Sequence, residues 1–161
     1  MNVGVDAYVS VEEVTSYLTA RGQQTAWAAA TDAQKQAAII EATSFLDAAF
    51  SWIGKLADRD QPLGWPRVCA YDREGRVLED TPLPVKNACC ELANLALGGR
   101  LMPMSLSTGG TAVKRERIGD VEVEYDTQRF EGSYDYVRMI LRGIGTLSGS
   151  TGIGMANLVR T

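Results

Sequence analysis

The chain has 161 residues, enough for one domain with a real hydrophobic core and no need of disulfide or metal staples. It is 45% hydrophobic and 22% charged, and its net charge of -4 argues against a general binder of nucleic acid. It has no histidine, which excludes Ser-His-Asp and Cys-His nucleophile systems, imidazole metal sites and the usual general base near neutral pH.

Ser10-Val11-Glu12-Glu13 is a capping box, predicting a helix from Val11 to about Arg21 with Val11, Val14, Tyr17 and Leu18 on one face and Gly22 as its stop. Ala26 to Ala30, around Trp27, reads as a short helical connector. Thr31 or Asp32 caps a longer helix reaching about Trp52, in which Ile39, Ala42, Leu46, Ala49, Phe50 and Ile53 recur at helical spacing before Gly54. Four of the five prolines fall between 54 and 84, so Asp60 to Arg67 is no regular helix. Its Leu63 and Trp65 predict a loop pinned onto the core. Val68–Tyr71 and Arg76–Leu78 suggest a weak hairpin about Asp72-Arg73-Glu74-Gly75.

Pro84 suits a first helical position, opening a helix to about Leu97 with Val85, Ala88, Cys89, Leu92, Leu95 and Ala96 as its buried stripe. Residues 100–112 are rich in Ser, Thr and Gly and read as a loop. Val121, Val123 and Tyr125 alternate with Glu122, Glu124 and Asp126 after the two-residue turn Gly119-Asp120. That turn sets Ile118 opposite Val121, Arg117 opposite Glu122 and Arg115 opposite Glu124, making one face a set of cross-strand ion pairs. Ser133 is the predicted cap of a last helix carrying Tyr134, Val137, Ile140, Leu141 and Ile144. The fold class that follows is mainly α with a small β-hairpin, an α+β chain. It comprises a helical domain over 1–142, with the hairpin at about 113–126, and an extended tail over 143–161.

That tail alternates glycine and serine with Ile144, Leu147, Ile153, Met155, Leu158 and Val159. It is either a frayed terminus or a peptide that orders on a partner. Charge supports a division, since residues 1–66 carry -4 and residues 133–161 carry +2, a pattern suited to protein docking. Cys69, Cys89 and Cys90 are an odd count with no CxxC, so a reducing compartment and a role as small buried hydrophobes are expected. No apolar run approaches the roughly 18 residues of a membrane span, and the first residues lack the basic region of a secretory signal.

Tests for chemistry give little. Asp58-Arg59-Asp60 and Asp72-Arg73-Glu74-Gly75 lack the spacing of a calcium loop. Gly149 to Gly154 lacks the lysine of a phosphate loop. No catalytic residue, metal or cofactor is indicated, and no enzyme is expected. Lys114, Arg115 and Arg117 beside Tyr125, and Trp65 beside Arg67, offer a small basic-aromatic cluster for single-stranded nucleic acid. Interleaved Glu116, Glu122 and Glu124 favour structural ion pairing there, and Trp27, Trp52 and Trp65 favour core positions.

The order of these features resembles a known family. Tyr8-Val9-Ser10-Val11-Glu12-Glu13, Tyr17-Leu18, Trp27, Ala42 to Asp47, Trp52-Ile53-Gly54, Gln61 to Arg67 and Pro84 to Ala93 together resemble the head–tail connector, or head-completion adaptor, proteins of tailed phages. Related sequences are often labelled DnaT-like single-stranded-DNA-binding. The resemblance spans about residues 8–142. It implies a ring, usually of twelve copies, bound beneath a portal protein and joined to a next neck protein (stopper or tail terminator). Double-stranded DNA would pass through without sequence-specific binding. The protein would be made in the bacterial host cytoplasm and reside in the virion neck, with no membrane contact. On this reading Ile144, Leu147, Ile153, Met155, Leu158 and Val159 dock on the portal, and Arg115, Arg117, Glu122 and Glu124 face the next ring or a neighbour. The alternatives are a replication accessory protein that binds single-stranded DNA, and a helical module of unspecified partner.

Overall fold

The computed structural model describes residues 1–101, 115–118, 121–124 and 128–147, with side chains up to 101 and from 134 onward. Five helices and three two-stranded antiparallel sheets appear among these residues, an α+β chain as expected. The helices are α1 (Val11–Ala20), α2 (Thr25–Ala29), α3 (Asp32–Ala49), α4 (Leu83–Ala96) and α5 (Gln128–Ile140). The strands are β1 (Phe50–Trp52), β2 (Lys55–Leu56), β3 (Arg67–Val68), β4 (Arg115–Ile118), β5 (Val121–Glu124) and β6 (Gly145–Leu147).

The capping signals fold as the sequence predicts. Ser10 Oγ accepts from the Glu13 amide at 3.2 Å, while Glu13 Oε2 accepts from the Ser10 amide at 2.7 Å. Thr31 and Gln34 form a second such box at the start of α3. These bonds satisfy amides that a helix start leaves without partners. Gly22 follows α1 at φ +68°, a left-handed turn that suits glycine.

Helix α4 lies centrally, packed on α3, α5 and α1. The core joins Val14 and Leu18 of α1, Ile39, Ala42 and Leu46 of α3, Val85, Ala88, Cys89 and Leu92 of α4, and Val137 of α5. The N-terminal segment adds Ala7, Tyr8 and Val9, all buried. Phe45 and Tyr134 stack across α3 and α5, their rings 5.4 Å apart.

Three helix ends differ from the sequence reading. Helix α3 stops at Ala49, because Phe50–Trp52 leaves the helix to pair with Leu147, Thr146 and Gly145. Helix α4 begins one residue early, at Leu83, with Pro82 as its cap and Pro84 within its first turn. Helix α5 begins at Gln128, so Ser133 lies inside it rather than capping it.

The β4–β5 pairing has the expected register, Arg115 opposite Glu124, Arg117 opposite Glu122 and Ile118 opposite Val121. The Gly119-Asp120 turn lies outside the described residues, as do the hairpin's side chains and all of the predicted 100–112 loop beyond Arg100 and Leu101. Of the predicted tail, residues 143–147 belong to the folded body. Ile144 is buried, Leu147 packs half-buried against the core, and β6 completes a sheet with β1. Ile153, Met155, Leu158 and Val159 lie outside the described residues.

Candidate nucleic-acid interface

The segment from 54 to 84 carries the loops that build the surface of interest, and one carboxylate anchors its first half. Asp47, near the end of α3, accepts from the Tyr8 hydroxyl, from the Gly64 amide at 3.0 Å and from Trp52 Nε1 at 3.4 Å. Burial, and the hydrogen bond to Asp47, push the Tyr8 hydroxyl well above the ordinary tyrosine range. Leu63 and Trp65 are buried beside this anchor, as the sequence predicts, and the Trp65–Pro66 bond is cis.

Arg67 is spent on architecture. Its Nε donates to the Ile53 carbonyl at 2.7 Å, Nη1 to Gly64 at 3.0 Å and Nη2 to Gly54 at 3.0 Å. Three carbonyl acceptors satisfy most of one guanidinium, so Arg67 is unavailable to a phosphate. Trp65 is 1% exposed, so the Trp65–Arg67 pair offers no platform for bases.

The predicted 68–78 hairpin forms around Asp72. Tyr71 pairs with Val77, the Asp72 amide donates to Arg76 O at 2.9 Å, and Leu78 donates to Ala70 O at 2.9 Å. Asp72 Oδ1 accepts from the amides of Glu74 and Arg76, and its Oδ2 meets Arg76 Nε at 2.7 Å. The Arg76 amide and guanidinium hold the Asp72 carboxyl below the usual carboxylate range. Arg76 also meets Glu74 at 3.0 Å, so its charge is largely neutralised.

This hairpin faces the end of α5 across an open groove of about 500 Å³. Arg73 donates from Nη2 to the Arg142 carbonyl at 2.9 Å. It passes directly over Gly143, where a Cβ would stand 2.7 Å from Arg73 Nε. Gly143 at φ +102° therefore serves both the backbone turn and the close approach. Arg73 and Arg142 both line the groove, and among the described residues neither has a carboxylate within 4.0 Å. Apolar surface adjoins them in the groove, where Met139 is 65% exposed. The groove thus combines two guanidinium groups that pair with no carboxylate, the exposed side chain of Met139, and the mutually paired Asp72, Glu74 and Arg76.

The sequence reading missed this pair. Arg73 sits in a turn that reads as merely solvated, and Arg142 sits at the boundary assigned between body and tail. Only folding brings residues 73 and 142 together, and no local spacing signals it. The thiols divide as well. Cys89 and Cys90 are buried, and burial pushes both up to about 12, whereas Cys69 is exposed and so is no core hydrophobe.

Fold and groove together define a small α+β module whose described surface presents an arginine-lined cleft. The chain belongs to the family described as "Putative DnaT-like ssDNA binding protein", whose model matches residues 1–161. No curated protein and no solved structure matches it. The family match overturns the connector expectation, and with it the portal and neck partners, the twelve-copy ring, the DNA conduit and the virion location. The motifs behind that expectation are core and loop-anchoring residues. Ser10, Trp27, Leu63, Trp65 and Arg67 specify how the chain folds, and they carry no information about what it docks on. No helix among the described residues is long and apolar enough to cross a membrane.

Proposed function

We propose that the chain binds single-stranded DNA as an accessory of replication, using the groove between the 71–77 hairpin and the end of α5. No catalytic step is assigned to it. The family match across the whole chain supports the class of ligand. The observation that carries the site is the uncompensated pair Arg73 and Arg142 lining one groove of an acidic protein. Arg142, and the Arg73 donors not spent on the Arg142 carbonyl, are left for phosphate oxygens, and the exposed Met139 beside them offers apolar surface to unstacked bases.

The net charge of -4 limits the affinity to local contacts rather than a broad field. Two phosphate contacts give a dependence of log K on log salt of about -1.4 for a single strand. Fluorescence anisotropy of a labelled oligothymidylate, titrated at several salt concentrations, reads both affinity and slope. Arg142→Ala is expected to weaken binding and to flatten the slope by about 0.7, and Arg142→Lys to restore the slope. Binding that is absent in the parent protein, or indifferent to Arg142, would refute the reading.

A further inference from the structure

A second cluster lies where α1 and α4 pack together. Arg21, the residue that ends α1, lays its guanidinium over the ring of Tyr17, 3.5 Å from the ring centre. Three contacts fix this stack. The Tyr17 hydroxyl donates to Glu91 Oε1 at 2.9 Å, Arg21 Nε stands 4.0 Å from that oxygen, and Arg21 Nη1 donates to the Tyr17 carbonyl at 3.4 Å. The Arg21 side chain nevertheless remains 38% exposed. One face of a planar cation is thus occupied by tyrosine while the cation keeps a share of solvent.

We propose that the Tyr17–Arg21 stack is a nucleobase platform, a second contact for the strand whose phosphates Arg73 and Arg142 hold. It rests on the single-stranded-DNA reading and adds to it a site for bases as distinct from phosphates. A guanidinium plane takes a base on its face much as an aromatic ring does. Here the plane is already assembled, so a base docks without ordering the side chain first. Stacking needs a plane as well as a charge, so lysine cannot replace Arg21. Bases inside a duplex offer no such face, so the platform selects single strands.

The test uses the full-length protein and an oligothymidylate of about 16 nucleotides carrying one 2-aminopurine, whose emission falls on stacking. The parent protein is expected to quench the probe. Arg21→Lys is expected to weaken binding about fivefold and relieve the quenching while leaving the salt slope unchanged, because charge is retained. Arg21→Ala, which removes charge and plane together, is expected to relieve the quenching as fully and also to flatten the slope. Arg21→Lys and Arg21→Ala that bind and quench like the parent would overturn the platform, while an Arg142-dependent slope in the same titrations would leave the strand-binding reading standing. No binding by the parent protein would overturn both.

Discussion

Replacing Asp47 with alanine removes the acceptor shared by the N-terminal segment, β1 and the proline-rich loop. The three bonds are unequal. The Trp52 donor at 3.4 Å is near the limit of a useful hydrogen bond and contributes little. The Tyr8 hydroxyl and the Gly64 amide are well placed, and Tyr8 is only 1% exposed, so water replaces little of what is lost. Each buried donor left without a partner costs about 1–3 kcal/mol, so the substitution costs about 4 kcal/mol. Set against a typical total of about 5–15 kcal/mol, that is a large share, and it corresponds to a fall in Tm of about 8–16 °C. Urea unfolding followed by tryptophan fluorescence, with thermal unfolding followed by circular dichroism, measures it. Tyr8→Phe removes one donor while keeping the ring and is expected to cost about 1–2 kcal/mol. In the double variant the second change is expected to add little, because both act on one network. An Asp47→Ala protein within about 0.5 kcal/mol of the parent, or a fully additive cycle, would refute this account of the anchor.

Ser10→Ala removes the cap of α1 and is expected to cost about 1 kcal/mol by urea unfolding. Gly64→Ala places a methyl 2.5 Å from Asp47 Oδ1 and 2.9 Å from Trp52 Nε1, and the forced shift is expected to cost about 1–3 kcal/mol. Gly143→Ala displaces Arg73 and strains the turn, so both Tm and oligonucleotide affinity are expected to fall, the latter read by anisotropy. Native-state alkylation followed by mass spectrometry is expected to modify Cys69 first, with Cys89 and Cys90 reacting only on unfolding. Tyr8 and Tyr17 are held neutral, chiefly by burial, with the bonds to Asp47 and Glu91 adding to it. Their raised values stabilise the fold fully below the ordinary tyrosine pKa near 10 and progressively less as pH climbs above it. Absorbance at alkaline pH is therefore expected to show these two phenols ionising with unfolding rather than before it.

The elements that the sequence announced locally are the ones that folded as read. The capping box at Ser10, the Thr31 cap, the turn at Asp72 and the β4–β5 register each depend on residues a few positions apart. The misplaced boundaries have distant causes. Phe50–Trp52 fits the helical period of α3, and only the arrival of Gly145–Leu147 draws it into a sheet. Leu147 looked like free docking surface for the same reason. The groove escaped notice because Arg73 and Arg142 are neighbours only in space. Function was the least legible part, since the motifs that suggested a family mark buried anchors, and Arg73 and Arg142, on which the proposed site rests, belong to no motif.

The β1–β6 pairing also governs when the chain can finish folding. Phe50 and Leu147 sit about 97 positions apart, and closing so long a loop is slow compared with forming any one helix. At a synthesis rate of about 5–20 residues per second, β1 waits roughly 5–20 seconds for its partner. Through that interval Phe50 and Trp52 lack the strand that later covers them, and α3 has no fixed end. Helices α1, α3 and α4 can assemble meanwhile, because all three emerge before residue 100. Ile144 then enters the core and Gly145 closes against the Trp52 ring, so β6 acts as a latch on the end of α3.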